Sequence, residues 1–224
     1  MPTASAWHPA VEDLPGEFAV FPLTGALLLP QGRLPLNIFE PRYLAMTLDA
    51  LAEGRMFGMI QPNPVEPPTP NGPGLYRVGC LGRLSSFSET EDGRLLITLT
   101  GIIRFRVAAE LAMRRGYRRV RADFTGFAED LDLDARPALD RERLERMLRA
   151  YFRAKGIDAN WQAVKETPDA ALVTTLCMIC PFDPREKQAL LEAATLDERA
   201  AMLLTLIEMG AHGGPGHEPG QPLS

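Results

Sequence analysis

The sequence predicts an α+β fold, in which a small, strongly bent sheet or barrel over residues 16–128 precedes a helical bundle over residues 137–210. Two observations support this division. In the first part, short apolar runs alternate with turn signals, which is typical of strands. In the second part, apolar residues recur at helical spacing, with glycine and proline confined to the joints.

An acidic run separates the two patterns and predicts a linker at residues 129–136. It lacks the glycine and the terminal glutamate of a calcium-binding loop, so a solvated connector is the favoured interpretation. Residues 1–15 and 211–224 are expected to be tails. The second tail is expected to be flexible because its glycine-rich sequence has too little apolar surface to order.

Prolines bound the apolar runs near the N-terminus, and they predict short strands followed by a helix. The segments are Phe21-Pro22-Leu23, Leu27-Leu28-Leu29-Pro30 and Pro35-Leu36-Asn37-Ile38-Phe39-Glu40-Pro41-Arg42-Tyr43. The helix is predicted over Pro41–Ala52, ending at Gly54. Its apolar face is expected to carry Leu44, Leu48 and Leu51. Glu40 and Arg42 would not face each other on a helix, so a partner of Arg42 is expected from elsewhere.

The remaining elements of the first part are strands joined by turns. They are predicted at Phe57–Ile60, Leu75–Phe87, Leu95–Thr100, Ile102–Ala108 and Tyr117–Phe124. Asp92-Gly93 between two apolar runs is a strong hairpin signal, and Gly101 predicts a bend or bulge. The prolines of residues 61–74 cannot sustain a sheet ladder, so this segment is predicted to be an exposed loop.

Helix-start signals recur in the second part. Pro137 is expected to open a helix that ends at Gly156. Its apolar side carries Leu144, Met147, Leu148, Tyr151 and Phe152. Thr167-Pro168 is expected to cap a helix that contains Leu172, Leu176 and Ile179. Capping-box patterns at Asp183-Pro184-Arg185-Glu186 and Thr195-Leu196-Asp197-Glu198 mark two further starts.

The composition is typical of a soluble globular chain: 224 residues, of which 46% are hydrophobic and 24% charged. The longest apolar run, Ala170–Cys180, is shorter than the ~18 residues that span a bilayer. The N-terminus lacks the pattern of a secretory signal. A cytoplasmic location without membrane attachment is therefore predicted. The net charge of −5 argues against broad coating of nucleic acid or anionic lipid.

Residues that could perform acid–base or metal chemistry are scarce in the predicted body. The three histidines, His8, His212 and His217, fall in the predicted tails, so neither histidine catalysis nor a metal site is expected. Cys177 and Cys180 have C-x-x-C spacing, but they end an apolar helical run instead of lying at a helix N-terminus, where thiolate is favoured. They are interpreted as core residues, and no cofactor is predicted.

Several short motifs follow one another in a particular order. After the proline-bounded segments come Asp92-Gly93-Arg94, Leu95–Thr100, Gly101, Arg104-Phe105, Pro181-Phe182-Asp183-Pro184, Glu186–Glu192 and Glu198-Arg199-Ala200. Together they resemble the N-terminal substrate-recognition domain of Lon-type ATP-dependent proteases, over about Phe18 to Met209. The resemblance implies a PUA-like pseudo-barrel followed by a helical bundle. A full Lon protease continues into an ATPase and a serine/lysine peptidase, whereas no lysine here lies in a P-loop, so the chain looks like a free-standing recognition domain.

The leading functional hypothesis, implied by this resemblance, is a non-catalytic polypeptide-binding module. Its partners would be unfolded or client polypeptides, and a separate protease is a further candidate. Such binding needs exposed apolar surface, for which the proline-rich loop and the cleft between the two parts are candidate rims. The candidate contact residues are Met59, Gln61, Pro62, Pro64, Val65 and Leu75.

A nucleic-acid-binding protein is the alternative, because PUA-like barrels include RNA binders and arginines are dense in residues 104–121. Phosphate contacts would come from Arg114, Arg115, Arg118, Arg119 and Arg121. The arginines alternate with apolar residues, which instead favours strands with one solvated face. An enzyme with an unrecognised site is a third hypothesis, and it requires a deep pocket that holds several titratable groups.

Overall fold

The computed structural model describes residues 9–212, and this range contains six strands and six α-helices. The strands are β1 (Glu17–Pro22), β2 (Arg33–Ile38), β3 (Met56–Ile60), β4 (Val78–Glu89), β5 (Leu95–Arg114) and β6 (Tyr117–Asp123). The helices are α1 (Pro41–Ala52), α2 (Arg141–Lys155), α3 (Trp161–Glu166), α4 (Asp169–Ile179), α5 (Pro184–Glu192) and α6 (Leu196–His212). The predicted α+β class is confirmed. The outer parts of both predicted tails lie outside the described residues.

The six strands form one sheet in the order β2-β5-β4-β3-β1-β6, and β6 also pairs with β5. This last pairing arises because β5 is 20 residues long. Its first part lies between β2 and β4, and its last part lies beside β6. Only β1 and β3 are parallel among the described pairs. The strands β5, β4, β3, β1 and β6 therefore close on one another, and β2 remains as an edge strand.

Gly101 allows the middle of β5 to approach another segment of backbone. Its carbonyl accepts a hydrogen bond from the N–H of Gln31 (2.9 Å), and its N–H donates to the carbonyl of Gly32 (2.8 Å). A Cβ at this position would lie 2.0 Å from the carbonyl oxygen of Leu29. The pairing with β4 shifts register here and leaves Ile102 as the extra residue. The predicted bulge is confirmed, although the two strands predicted on either side of Gly101 are one continuous strand.

Helix α1 has the predicted bounds but buries a different face. The side chains packed inside are Tyr43, Met46, Thr47 and Ala50. Of the leucines expected there, Leu48 is 49% exposed, and Leu44 and Leu51 are only partly buried. The aromatic ring of Tyr43 packs on that of Phe21, with centroids 4.1 Å apart, and the Thr47 hydroxyl donates to the Tyr43 carbonyl (2.8 Å). The larger aromatic contact, together with this internal hydrogen bond, favours the observed face.

The expectation that Arg42 finds its partner elsewhere is wrong. The Arg42 guanidinium donates to Glu40 Oε2 from Nε (3.1 Å) and from Nη2 (2.9 Å). Glu40 precedes the helix with extended backbone angles, φ −69° and ψ 132°. The spacing rule for residues within a helix therefore does not apply to this pair.

A buried ion pair joins β5 to the segment that follows the sheet. Arg104 of β5 and Asp130 are both almost fully buried, and Arg104 Nη2 lies 2.8 Å from Asp130 Oδ1. Arg104 Nη1 also donates to the Leu191 carbonyl (3.2 Å). Asp130 belongs to the acidic run that was expected to be a solvated connector. This expectation is wrong for Asp130, because a buried guanidinium requires a carboxylate partner.

The helices are divided between two compact units. The first unit comprises residues up to Ala135 together with Thr174–Glu192, and the second comprises Arg136–Val173 together with residues from Ala193 onward. The boundary between Ala135 and Arg136 falls at the end of residues 129–136, where the sequence predicts a linker. The predicted single bundle over 137–210 does not match these units, because α5 and the last part of α4 group with the sheet.

In the second unit, α2 begins later than Pro137 predicts. Asp140 caps the helix by accepting a hydrogen bond from the N–H of Arg143 (2.9 Å), and Gly156 ends it in the left-handed conformation. The buried residues of α2 are Leu144, Leu148, Tyr151 and Phe152, and those near the end of α6 include Leu203 and Ile207.

The predicted capping box at Asp183 is confirmed; at Thr195 the threonine forms its half of the box, whereas Glu198 Oε2 accepts from the N–H of Ala194 (2.9 Å) instead of Thr195. Asp183 Oδ1 accepts from the N–H of Glu186 (2.9 Å), and Glu186 Oε2 accepts from the N–H of Asp183 (2.8 Å). Thr195 Oγ1 accepts from the N–H of Glu198 (3.1 Å). The Thr167 hydroxyl, expected to cap α4, donates to the Ala163 carbonyl of α3 (2.7 Å).

Candidate functional site

The proline-rich loop between β3 and β4 is pinned at its base by backbone hydrogen bonds. The N–H of Asn63 donates to the Gly74 carbonyl (2.8 Å), and the N–H of Tyr76 donates to the Gln61 carbonyl (3.0 Å). Most side chains between these points are exposed, as predicted. The loop is thus exposed in its side chains but fixed in its backbone.

A buried amide network fixes the near end of this loop to α5. Gln61 is 2% exposed. Its Oε1 accepts from the N–H of Gly25 (3.0 Å), and its Nε2 donates to the Pro184 carbonyl (3.0 Å) and to Gln188 Oε1 (3.2 Å). Gln188 in turn donates to the Val78 carbonyl (3.1 Å). Both the oxygen and the nitrogen of the Gln61 amide are hydrogen-bonded. The network therefore joins the start of the loop at Gln61 to the segment at Gly25 and to α5.

The far end of the loop is fixed to β6. Arg118 Nη1 donates to the Pro73 carbonyl (2.6 Å), while its Nε and Nη2 donate to the two carboxylate oxygens of Glu110 (2.7 and 2.8 Å). Asn71 Nδ2 also donates to Glu110 (2.9 Å). Burial alone would raise the pKa of Glu110, but the hydrogen bonds from Arg118 and Asn71 and the charge of Arg118 lower it overall. Glu110 is therefore an ionised anchor at neutral pH.

These anchors support an open groove of about 620 Å³, which we call the proline groove. It is lined by Thr24, Pro62, Asn63, Pro64, Pro73, Tyr76, Asp183, Pro184 and Arg185. Four prolines and one tyrosine supply most of its wall. Prolines have little conformational freedom to lose, and an aromatic ring offers a large contact area, so this wall suits an apolar or extended ligand.

The six candidate contact residues have different positions. Pro62 and Pro64 line the proline groove. Met59 and Gln61 were predicted to contact a polypeptide at the rim. Both side chains are buried, so they do not form part of the exposed surface. Val65 is 78% exposed but does not line the groove, and Leu75 is half-buried and bridges to Pro62.

The sequence interpretation missed Tyr76, Pro73 and Pro184 as wall residues. Pro73 belongs to the predicted loop of residues 61–74, and Tyr76 follows it closely, so an aromatic ring at the end of a proline run was the available signal for Tyr76. Pro184 lies more than a hundred residues further along the chain, and only the fold brings it to the groove.

A second apolar depression, the sheet groove, lies on β2, β4 and β5 and has a volume of about 490 Å³. Its lining residues are Pro35, Leu36, Asn37, Ser86, Phe87, Ser88, Leu96, Ile97 and Thr98. Phe87 is 52% exposed, and Leu96 is also exposed. The lining contains no charged side chain, which makes it a less selective surface than the proline groove.

The five arginines proposed as phosphate contacts lie on the hairpin formed by β5 and β6, which we call the arginine hairpin. Each of them faces a carboxylate of the same chain. Arg115 lies 2.7 Å from Asp49, and Arg114 lies 2.8 Å from Glu53. Arg118 binds Glu110, as described above. Arg119 and Arg121 lie 3.8 and 2.9 Å from Glu17. A phosphate would therefore have to compete with an internal carboxylate at every one of these positions.

A smaller cavity of about 260 Å³ beside α1 contains several titratable groups, as the enzyme hypothesis requires. They include Asp49, which accepts a hydrogen bond from the Tyr117 hydroxyl (2.7 Å). That hydrogen bond, with contributions from Arg115 and Arg114, lowers the pKa of Asp49. Burial, aided by Asp49, raises the pKa of Tyr117 to about 12. Both pKa values move away from neutrality, which is opposite to the direction that an acid–base catalyst needs.

The cysteines of the C-x-x-C pattern are buried. Cys177 and Cys180 both lie in the core, and burial raises the pKa of Cys180 to about 12. The thiol is therefore the favoured form at neutral pH, as the core interpretation expects. Within residues 9–212, no cluster of three or more metal-ligating side chains of the types His, Cys, Asp and Glu is found. In the same range, no helix combines the length and the apolar character needed to cross a bilayer.

Comparison with known proteins identifies the family. The family model for the ATP-dependent protease La (LON) substrate-binding domain matches residues 17–209. The chain belongs to this Lon substrate-binding domain family. Lon protease 2 of Myxococcus xanthus is 24% identical over 212 residues, which cover 92% of this chain and 25% of that relative. The Lon protease of Anaeromyxobacter dehalogenans (strain 2CP-C) is 23% identical over 199 residues, which cover 88% of this chain and 23% of the relative.

Solved structures show the same fold. The Lon N-terminal domain protein from Xanthomonas campestris has a TM-score of 0.58 and 22% identity, over 84% of this chain and 97% of that one. The N-terminal domain of the Mycobacterium avium complex Lon protease also has a TM-score of 0.58, with 15% identity over 85% of this chain and 97% of that one. The Lon-like chain described here spans about a quarter of the length of the two curated relatives above.

Proposed function

We propose that this chain is a non-catalytic polypeptide-binding module that holds an extended apolar segment of its substrate in the proline groove. The single observation that supports this function best is a preformed, mostly apolar groove in a member of the Lon substrate-binding domain family. The neighbouring polar groups are already used to build its walls, as the Gln61 and Arg118 contacts illustrate. The groove therefore offers apolar contact area with little cost of ordering on binding.

Replacing Tyr76 with alanine tests the location of the site. Tyr76 is the only aromatic residue in the groove lining, so Tyr76→Ala should weaken binding of a fluorescently labelled, reduced and alkylated polypeptide by about tenfold. The control is Phe39→Ala, because Phe39 is also exposed but lies outside both grooves. Binding is measured by fluorescence anisotropy, and circular dichroism checks that each variant is folded.

Phe87→Ala separates the two grooves in the same assay. Phe87 lines the sheet groove and not the proline groove. A loss of affinity for Phe87→Ala with no loss for Tyr76→Ala would move the binding site to the sheet groove. Absence of polypeptide binding by the unmodified chain would reject the proposed function itself.

Nucleic-acid binding remains the alternative function, and the arginine hairpin is the surface that would carry it. If these arginines bind phosphates, affinity for a short single-stranded RNA should fall steeply with added salt. The double variant Arg115→Gln, Arg121→Gln should then reduce the slope of that dependence by about two. Because both side chains already face carboxylates, we expect no salt-dependent RNA binding and no effect of the double variant on polypeptide binding.

A further inference from the structure

The lining of the proline groove contains few charged side chains. Asp183 and Arg185 are the only charged residues in its lining, and both belong to the start of α5. Every other lining residue is proline, tyrosine, threonine or asparagine. Selectivity for charge in a bound polypeptide therefore depends on how these two residues are already engaged.

The carboxylate of Asp183 is committed to the helix. Its Oδ1 accepts hydrogen bonds from the backbone N–H of Arg185 (2.7 Å) and of Glu186 (2.9 Å). These N–H groups carry the partial positive charge of a helix start, which offsets the charge of Asp183. Oδ1 of this carboxylate is thus a structural cap of α5, and the helix start partly offsets its negative charge.

The guanidinium of Arg185 is in the opposite situation. It is exposed, and within residues 9–212 it makes no side-chain hydrogen bond or ion pair with the chain. Its neighbour on α5, Lys187, is different, because Lys187 Nζ donates to the Gly25 carbonyl (2.8 Å). The arginines of the arginine hairpin are different too, since each faces a carboxylate. Arg185 therefore combines an unengaged planar donor with an adjoining apolar wall.

We propose that Arg185 makes the groove selective for apolar polypeptide segments that carry a carboxylate beside them. A carboxylate accepts two parallel hydrogen bonds from a guanidinium, and apolar surroundings strengthen that interaction relative to water. The carboxylate comes either from an aspartate or glutamate side chain or from the C-terminus of the polypeptide. This inference rests on the proposed function, because it names the charge pattern of the ligand that the proline groove holds.

The test uses four fluorescently labelled peptides of equal length and the full chain. The first is an apolar peptide with an amidated C-terminus. The second carries one glutamate beside the apolar run, the third carries one lysine at the same place, and the fourth is the first peptide with a free C-terminal carboxylate. We expect the glutamate peptide to bind about fivefold more tightly than the neutral peptide and the lysine peptide to bind less tightly than the neutral one. This preference should shrink as salt is added.

Arg185→Gln isolates the guanidinium from the apolar contacts. In this variant the glutamate and neutral peptides should bind equally, so the fivefold preference disappears. The matched control is Arg33→Gln, which removes the same charge from an exposed position on β2 outside the groove. The control should keep the fivefold preference.

Different failures have different meanings. Equal binding of the glutamate and neutral peptides to the unmodified chain would overturn the selectivity and leave the proposed function standing. A preference that Arg33→Gln abolishes as fully as Arg185→Gln would overturn it as well, because net charge would then be the cause. Failure of all four peptides to bind would overturn the proposed function and, with it, this inference. If selectivity holds, the peptide that shows the larger gain, with the side-chain or the terminal carboxylate, identifies the source of the carboxylate.

Discussion

The proline groove and the arginine hairpin are both accessible surfaces, but they differ in how much of their chemistry the chain uses internally. In the arginine hairpin, each guanidinium is directed at a carboxylate such as Asp49, Glu53 or Glu17. In the proline groove, the polar groups lie behind the wall and the exposed surface is mainly apolar. Counting a residue type along the sequence therefore does not show which side chains the chain already uses for internal contacts.

The largest expected effect comes from the pair Arg104–Asp130, whose charged groups are used entirely inside the fold. Asp130→Asn removes the carboxylate that pairs with the buried guanidinium of Arg104, so it should lower the free energy of unfolding by about 3–5 kcal/mol. Urea unfolding measures the change. The control Asp92→Asn breaks an exposed pair with Arg94 and should change the free energy of unfolding far less. Similar small costs for both variants would show that Arg104 does not depend on Asp130.

The next effect concerns the support of the proline groove. Gln61→Leu removes the amide that joins Gly25, Pro184 and Gln188, and it leaves buried donors and acceptors without partners. We expect a loss of about 2–3 kcal/mol in unfolding free energy and weaker polypeptide binding, although Gln61 is buried. Gln162→Leu, on exposed α3, is the control and should leave both measurements unchanged. Full polypeptide affinity in a folded Gln61→Leu variant would show that the groove does not need this support.

The contribution of Glu110, which anchors the far end of the proline-rich loop through Arg118 and Asn71, should depend on pH. The pKa of Glu110 is lower in the folded chain than its ordinary value of 4.5, so its ionised form stabilises the fold above that pH. This stabilisation should disappear as the pH falls below about 4.5. Glu110→Gln should be less stable than the unmodified chain at pH 7, and the difference should narrow in acid. Glu91→Gln, at an exposed turn, is the control and should show no such narrowing.

The smallest expected effect comes from the outer arginines. Arg121 is exposed and pairs with exposed Glu17, so Arg121→Gln should change the free energy of unfolding by at most about 1 kcal/mol. Thermal unfolding at low and high salt measures it, and any difference should vanish at high salt. A cost of several kcal/mol would mean that this outer pair belongs to the structural core of the arginine hairpin.

Local signals were sufficient for much of the fold. Pro41 predicted the first residue of α1, and Gly156 predicted the end of α2. The capping patterns at Asp183 and Thr195 predicted the starts of α5 and α6. These features depend on residues a few positions apart, whose interactions are the same in any fold. The position of the proline-rich loop was predictable for the same reason, since prolines cannot continue a sheet ladder.

The candidate site was predicted only in part. Pro62 and Pro64 line the proline groove, and their exposure was predictable because a loop of prolines is exposed in almost any arrangement. Met59 and Gln61 were wrong because burial of a strand end depends on what packs over it, which here includes the network to Pro184 and Gln188. No pattern near residue 61 indicates that a helix more than a hundred residues later covers it.

By itself, the sequence determined the α+β class, the ends of several helices, the hairpin at Asp92-Gly93 and the family resemblance, because these depend on local backbone preferences and on the order of motifs. The tertiary structure decided which face of α1 is buried, that Asp130 is a buried partner of Arg104, and that Pro184 and Arg185 meet the proline-rich loop. Each of these outcomes depends on contacts between distant segments. Burial and charge pairing are properties of such contacts, so they become fixed only when the chain has folded.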